Sequence, residues 1–330
     1  MVCLPFIEET WNRTYEWLQT HEGEYWSRTA ANLFQADNYP AIAIDKLIEY
    51  GRPHAAINCL SIMRYAKKEI NIVQCVKALR DAVSSSEPHH DMDGYKIIEL
   101  IKFLQQDLTV NQDDLFNIEW AYVSLLNRDR GAAPKLLENR LANNHDFFCE
   151  LIRLIYASDK EEQICKETSV ESNVIRNAFR LLSEWKTPPG TQQDGTFSKE
   201  CFTDWLQSVK VSCSKSGHLD AALNHIGQVL IYTLPDPDGL WINRVVAAAL
   251  NDRDADEMRI GFRKAKYNSR GAHWVDPTGK PERALAEQFR GKAEDIENAG
   301  FQRFAIILRE LADDYEREAE WVISNHNGLV

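Results

Sequence analysis

Apolar residues recur along most of the chain at spacings of three, four or seven, which is the period of one face of an α-helix. Near the C-terminal end one such face consists of Phe301, Phe304, Leu308, Leu311, Tyr315 and Val322. A second face has the same spacing and consists of Ile97, Ile101, Leu104 and Leu108. The alternation of apolar and polar residues that indicates strands is scarce. The pattern predicts an all-α protein of roughly sixteen helical segments.

Short segments that contain glycine separate the helical patterns. Gly51 is followed closely by Pro53, and proline is favoured in the first turn of a helix because its missing N–H is not needed there. Gly217 and Gly300 follow helical patterns directly, at the position where a left-handed residue ends many helices. These residues predict helix boundaries and short connections.

One spacing recurs along the chain. The stretches "EYGRPHAAINCL" (49–60) and "SKSGHLDAALNHI" (214–226) both read G-x-x-x-A-A, and "NAGFQRFAIIL" (298–308) keeps only the second alanine. A glycine turn followed by small residues lets the preceding helix pack closely, as in the helix–turn–helix units of α-solenoids. We predict an array of antiparallel helix pairs, tetratricopeptide-like or HEAT-like. An irregular helical domain is the alternative.

The strongest interruption of the helical pattern is "TPPGTQQDGT" (187–196), in which two prolines and two glycines stand among polar residues. Such a composition does not continue a helix. It predicts a linker between an N-terminal helical-repeat domain, residues 1–186, and a C-terminal helical domain, residues 197–330. The pattern predicts that the second domain ends in a helical hairpin.

Composition places the chain among folded proteins and limits its partners. Of its 330 residues, 44% are hydrophobic and 27% are charged, and the formal net charge is −12. Nucleic acids and anionic membranes bind to basic surfaces, which an acidic chain lacks. We therefore expect neither a nucleic acid nor a membrane as a partner. The same balance favours a protein partner with basic patches.

The cysteines and the start of the sequence suggest a compartment. The seven cysteines are odd in number and most lie inside apolar helical patterns, as buried reduced thiols do. The opening "MVCLPF" lacks the basic start of a signal peptide. No apolar run approaches the ~20 residues that a membrane helix needs. We expect a cytoplasmic location.

No catalytic motif is recognisable. The phosphate loop G-x-x-x-x-G-K-[ST], the dinucleotide fingerprint G-x-G-x-x-G, the zinc-protease motif H-E-x-x-H and the nucleophile elbow G-x-S-x-G are all absent from the sequence. Each of these motifs places a reactive or phosphate-binding group at a fixed spacing. Their absence lowers the expectation of an enzyme, and we expect no catalytic residue and no cofactor.

Three groups of potential metal ligands occur. They are His89, His90, Asp91 and Asp93; Asp252, Asp254 and Asp256; and Cys201, Cys213, His218 and His225. In the second group, Glu257 and Arg263 stand where a calcium loop requires glycine and glutamate. Its acids suit a helix start instead, near the positive end of the helix dipole. The other two groups lack the paired spacing of zinc sites, so we expect no metal site.

The richest cluster of polar chemistry is "YNSRGAHWVDPTGKPER" (267–283). Arg270 can hold an anion with two parallel hydrogen bonds, and His273 can carry a proton near neutral pH. With Trp274 and Asp276 they form the candidate binding residues. A ligand-binding loop is one interpretation of this stretch.

A structural interpretation of the same stretch is the alternative. Gly271 permits an unusual backbone angle, and Trp274 would anchor the loop on the helices. Pro277 stiffens the loop and Pro281 begins the next helix. In this interpretation the stretch is an ordered connector between two helices.

Residues 217–320 resemble the C-terminal helical region of long bacterial multidomain proteins, most of them uncharacterised. The stretches that carry the resemblance are "DPDGLW", "NSRGAHWVDPTGKPER" and "AGFQRFAIILRELADDYEREAE". Large bacterial defence proteins often end in tetratricopeptide-like arrays that recognise partners. By analogy of architecture, the resemblance implies the recognition part of a larger machine.

These observations together predict a non-catalytic scaffold or sensor module that binds a protein partner on a helical-repeat surface. The rival hypothesis is an enzyme or ligand-binding protein that uses Arg270, His273 and Asp276. A third is a nucleic-acid reader, for which "RYAKK" (64–68) and "RKAKYNSR" (263–270) are the best basic segments.

Overall fold

The computed structural model describes residues 13, 15–29, 41–87, 93–128, 131–156, 169–192, 194–271 and 275–327. Over these residues the chain is helical and forms no β-strand, only a single antiparallel bridge between Thr191 and Phe197. The predicted all-α class is therefore confirmed. In the part described, no helix combines the length and the apolar character needed to cross a membrane. The chain packs as two compact units, residues 1–137 and 138–330.

The first unit contains six described α-helices. They are α1 (Glu22–Arg28), α2 (Ala41–Glu49), α3 (Pro53–Tyr65), α4 (Ile72–Ala82), α5 (Asp93–Leu104) and α6 (Gln112–Ala121). From α2 to α5, each helix packs against the next helix, and α2, α3 and α4 also contact the helix after that. Neighbours in space are therefore neighbours in sequence, and their apolar faces share one continuous core.

Side chains within the first unit fix where its helices begin. Asn71 Oδ1 accepts the backbone N–H of Val73 at 2.9 Å, and so caps α4. The next helix, α7 (Lys135–Asn143), crosses the division between the units. Its first turn donates to the fully buried carboxylate of Glu119, with Leu137 N at 3.0 Å from Oε2. A negative charge at a helix N-terminus is stabilised by the helix dipole.

The second unit contains the remaining eight helices of the described chain. They are α8 (His145–Ile155), α9 (Ser169–Glu184), α10 (Lys199–Ser216), α11 (Leu219–Leu230), α12 (Arg244–Asn251), α13 (Asp256–Asn268), α14 (Lys280–Asn298) and α15 (Gln302–Asn327). Helix α8 contacts α9, α10 and α11, whereas α11 also contacts α13 and so skips α12. Helix α15 packs against α12, α13 and α14, and with α14 it forms the predicted C-terminal hairpin.

The apolar faces predicted from periodicity are largely the buried ones. On α15, Phe304, Leu308 and Leu311 are completely buried, which confirms that face. The prediction for Leu108 is wrong, because α5 ends at Leu104 and leaves Leu108 98% exposed in the following turn. A periodic pattern does not show where its helix stops when no glycine or proline marks the end.

The glycine and proline signals at helix boundaries are confirmed. Pro53 occupies the first turn of α3. Gly217 ends α10 in the left-handed conformation with φ of 78°, and its N–H donates to the Cys213 carbonyl. Gly300 separates α14 from α15 with φ of 93°.

The predicted linker lies inside the second unit and is closely packed. Pro188, Pro189 and Gly190 are buried, and Ser198 N donates to Gly190 O at 2.8 Å. With φ of 85° at Gly190, an added Cβ would lie 2.8 Å from Phe202 Cβ, so only glycine fits there. The compact units themselves divide at residue 137, and a domain boundary at 187–196 stays a prediction.

Two glycines place α11 and α13 in direct backbone contact. A Cβ added to Gly227 would lie 1.9 Å from Met258 O, and one added to Gly261 would lie 2.0 Å from Asn224 O. Both distances are far below van der Waals contact. The two helices therefore cross at a separation that only glycine permits at these two positions. The sequence pattern did not predict this crossing.

We expect Gly227→Ala or Gly261→Ala to destabilise the second unit by about 3 kcal/mol, because the methyl group must push two helix backbones apart. Urea unfolding followed by circular dichroism measures the change. Gly291→Ala is the matched control, since Gly291 lies in α14 with open space around it. That variant should gain about 0.5–1 kcal/mol from helix propensity. Equal effects of all three substitutions would contradict the close crossing.

Candidate functional site

Arg270, the first candidate binding residue, is held by two carboxylates. Its Nη2 donates to Glu282 Oε1, and its Nη1 lies 3.6 Å from Glu318 Oε1. The side chain of Glu282 is completely buried and that of Arg270 is 17% exposed. The guanidinium thus joins the end of α13 to α14 and α15. The positive charge of Arg270, which could hold an anionic ligand according to one interpretation of the sequence, instead lies against two carboxylates of the protein itself.

Asp276 shapes the turn before α14. Its Oδ1 accepts Thr278 N at 2.9 Å and Thr278 Oγ1 at 2.8 Å, and these hydrogen bonds lower the pKa of the Asp276 carboxyl. Gly279 follows in the left-handed conformation, and a Cβ there would lie 3.0 Å from Ala319 O. The turn therefore packs against α15 and positions the start of α14.

The other two candidates, His273 and Trp274, lie outside the described residues. Their roles as ligand residues or as a packing anchor stay predictions. Arg270 and Asp276, which the structure does describe, each make contacts that hold helices together. These contacts favour the connector interpretation of the loop over the ligand-binding one.

Arginines of α13 and α14 also form ion pairs with carboxylates along α15. Arg263 of α13 donates to both oxygens of Asp314 at 2.8 and 2.9 Å. Arg290 of α14 donates to Glu316 Oε2 at 3.2 Å. Most acidic residues of α15 that face α13 and α14 are therefore neutralised by arginines, and they stabilise the packing of the three helices.

A solvent-open groove beside α10 is a second candidate site in the described part of the chain. A groove of about 570 Å³ runs between α8 and α10. It is lined by His145, Arg153, Gln207, Ser208, Val211, Ser212, Lys215 and Ser216. Two of these residues are cations and none is a carboxylate. Val211 is apolar and 44% exposed.

A second groove of about 440 Å³ follows the other side of α10. It shares Gln207, Val211 and Lys215 with the first groove. Its other lining residues are Lys210, Ser214, Leu219, Leu223 and one carboxylate, Asp254. The outer face of α10 therefore forms a ridge with a groove on each side. Such a surface offers apolar contact and positive charge along the length of one helix.

The inner face of α10 holds the ridge in place. Phe202, Trp205, Leu206 and Val209 are buried at helical spacing, so the opposite face of the helix, which carries Gln207 and Val211, points outward. The ring of Trp205 lies 5.1 Å from that of Phe148 on α8. At its start, Ser198 Oγ accepts Cys201 N at 3.2 Å and caps the helix.

Two histidines that were considered as zinc ligands instead contact Tyr156. His225 Nε2 lies 2.7 Å from Tyr156 Oη, and His218 Nε2 lies 3.1 Å from the Tyr156 carbonyl oxygen. Of the two cysteines in that group, Cys201 is exposed and Cys213 lies beside Cys149 on α8. The two histidines thus contact Tyr156 and Cys213 contacts Cys149, so these side chains are not directed at one common point.

The remaining metal candidates form helix starts and ion pairs. Asp256 begins α13 and pairs with Arg259, and Asp252 pairs with Lys210 at 3.2 Å. His89, His90 and Asp91 lie outside the described residues, while Asp93 begins α5. Over the residues that the structure covers, no three His, Cys, Asp or Glu side chains gather as a metal site would require.

Sequence reasoning missed the groove beside α10. The available signal is "QSVKVSCSKS" (207–216), where Ser208, Ser212 and Lys215 recur at helical spacing on the face opposite the apolar one. That signal indicates an outward face. It does not indicate that α8 lies alongside and contributes Arg153.

Comparisons with known proteins add no relatives. No family model matches the chain, and neither the curated proteins nor the solved structures contain a match. The resemblance of residues 217–320 to bacterial multidomain proteins stays an expectation.

We expect Arg270→Ala to lower the free energy of unfolding by about 3 kcal/mol, because it removes the cation that faces a completely buried carboxylate. Arg283→Ala is the control, since Arg283 is 54% exposed and lies 3.5 Å from Glu316. It should cost about 0.5 kcal/mol or less. Chemical denaturation of both variants measures the difference. Unchanged stability of Arg270→Ala would favour a ligand role for this residue.

We expect stability to fall with acid because of His225. Burial and the nearby charge of Lys264 lower the pKa of His225 from 6.5 to about 4. Between these values the unfolded chain binds a proton that the folded chain does not. The stabilisation is therefore complete above pH 6.5 and is lost as pH falls towards 4, by about 3 kcal/mol at most.

Denaturant titrations at several pH values measure how the free energy of unfolding changes with pH. His225→Gln should flatten this slope between pH 6.5 and 4, because glutamine does not titrate. His21→Gln, at an exposed position, is the control and should leave the slope unchanged. If His225→Gln retained the full slope, another group would be responsible.

Proposed function

We propose that the chain is a non-catalytic protein-interaction module, a scaffold or sensor that binds a segment of a partner protein along α10. The observation that carries the proposal is the groove between α8 and α10, which is open, about 570 Å³ in volume, and has two cations and no carboxylate among its lining residues. In a chain of net charge −12, such a local excess of positive charge stands out.

The groove chemistry favours an acidic partner segment. Arg153 and Lys215 can pair with carboxylates, while Val211 between them offers apolar contact. Ser208 and Ser212 add hydrogen-bonding groups. The net charge of the chain predicted a partner with basic patches. That prediction concerns the whole surface, and for this groove we propose the opposite charge.

The packing of the first unit supports a repeat architecture. Helices α2 to α5 each contact the next helix in sequence order, as stacked helix pairs do in α-solenoids. We propose that this unit is a tetratricopeptide-like or HEAT-like array. If the resemblance to bacterial multidomain proteins holds, the module is the recognition part of a larger cytoplasmic, defence-related protein.

The rival function, an enzyme or ligand-binding protein that uses Arg270, His273 and Asp276, has less support. Arg270 is engaged by Glu282 and Glu318, and Asp276 by Thr278. A nucleic-acid reader also has less support. Arg263, in the basic segment 263–270, is paired with Asp314.

A photo-reactive amino acid placed at Val211 tests the proposed surface in living cells. We expect one protein to be crosslinked at this position, and the yield to fall about tenfold in the double variant Arg153→Glu/Lys215→Glu, because the partner's carboxylates are then repelled. Arg303→Glu, at an exposed residue of α15, is the charge-reversal control away from the groove and should leave the yield unchanged.

The same photo-reactive group at Ile260 provides a second control, since Ile260 is 49% exposed on α13. Circular dichroism checks that each variant is folded. Crosslinking that is equal at both positions, or that survives the double charge reversal, would contradict docking on α10.

A further inference from the structure

Two buried thiols in the second unit take no part in the proposed function. Cys149 of α8 and Cys213 of α10 are completely buried, and their sulfurs lie 3.5 Å apart. Both are free thiols. We propose that this pair is an oxidation site, at which a peroxide converts the two thiols to a disulfide.

The two sulfurs are chemically unequal. The Cys213 thiol donates its hydrogen to Cys149 Sγ, which suits Cys149 to carry the negative charge. This hydrogen bond, with a further one from Ser212 and the charge of Arg153, lowers the pKa of the Cys149 thiol, against the opposing effects of its burial and of Asp146. The pKa of Cys213 is raised instead, because it faces that same sulfur. Within this proposal we assign the attack on the peroxide to Cys149, since Ser212 and Arg153 act on its sulfur and thiolates react with peroxides whereas thiols do not.

The groove provides the approach. Ser212 and Arg153 act directly on Cys149, and both also line the groove between α8 and α10. The Cys149 sulfur therefore lies next to two residues of the groove wall, and in this proposal the groove is the side from which the peroxide approaches. Cys75 in the first unit differs, because burial raises its pKa to about 12. It is the matched unreactive thiol.

The reaction balances without a cofactor. The Cys149 thiolate attacks one peroxide oxygen; an S–O bond forms, the O–O bond breaks, and the second oxygen leaves as water after protonation. The sulfur of Cys213 then attacks Cys149 Sγ, so that the S–S bond forms and the S–O bond breaks. The Cys213 proton leaves with the second water. Two thiols are oxidised, and one peroxide is reduced to two waters.

The geometry needs only local adjustment. Disulfide sulfurs lie about 2.05 Å apart, so the 3.5 Å separation must shorten by about 1.5 Å, shared between two side chains on packed helices. The two cysteines are 64 positions apart in sequence, so the disulfide would link α8 directly to α10 and close a long loop of the chain. This inference does not depend on partner binding.

The test uses the full chain with Cys3, Cys165 and Cys201 replaced by serine, so that Cys59 and Cys75 are the only thiols left besides the pair. The reduced protein is treated with increasing hydrogen peroxide, remaining thiols are alkylated, and the peptides are identified by mass spectrometry. We expect a Cys149–Cys213 linked peptide as the main product. Cys59 and Cys75, which remain as internal controls, should stay reduced.

The variant Cys213→Ser separates the attack on the peroxide by Cys149 from the later attack by Cys213. In Cys213→Ser the sulfenic acid on Cys149 cannot be resolved, so a dimedone adduct should appear at Cys149 at peroxide concentrations that give the disulfide in the parent. In the parent, thermal unfolding should shift upward by several degrees on oxidation and return after reduction with dithiothreitol. If Cys149 and Cys213 stay reduced while the protein remains folded, or if they are oxidised no faster than Cys59 and Cys75, the proposal is overturned.

Discussion

The backbone contact between α11 and α13 is the constraint on which the second unit depends. Gly227 and Gly261 each face a carbonyl of the other helix at a distance that leaves no room for a Cβ. Once α11 and α13 are joined at this separation, α13 brings Arg263 and Arg270 against α15. The crossing thus fixes the position of the cations as well as the packing of the apolar residues.

The charges of the C-terminal helices follow from that placement. An acidic helix such as α15 would repel itself and any other acidic surface, but arginines of α13 and α14 face its carboxylates. The pair between Arg270 and the buried Glu282 is the most enclosed of these contacts. It favours the connector interpretation of residues 267–283, in which Arg270 pairs with Glu282 and Asp276 accepts hydrogen bonds from Thr278. Buried pairs of this kind are costly to break, so they favour one arrangement of the helices.

Helix α10 combines two sets of properties on opposite faces. Its inner face packs Trp205 against Phe148 and places Cys213 beside Cys149. Its outer face carries Val211 and Lys215 between two grooves. Arg153, on the neighbouring helix α8, contributes to both sides: it lines the groove, and its charge acts on the Cys149 sulfur. An oxidation at the inner face and an acidic segment at the outer face would therefore involve the same cation.

The sequence by itself determined the helical class, most apolar faces and several boundaries, such as the buried face of Phe304 and the cap at Gly217. These depend on periodicity and local backbone preference, which neighbouring residues determine. Only the tertiary structure decided that Gly227 meets Met258, that Arg270 faces Glu282, and that Arg153 and Lys215 line one groove. Each of these contacts joins different helices. Their geometry depends on how helices cross, and a helical period carries no information about the partner of a given face.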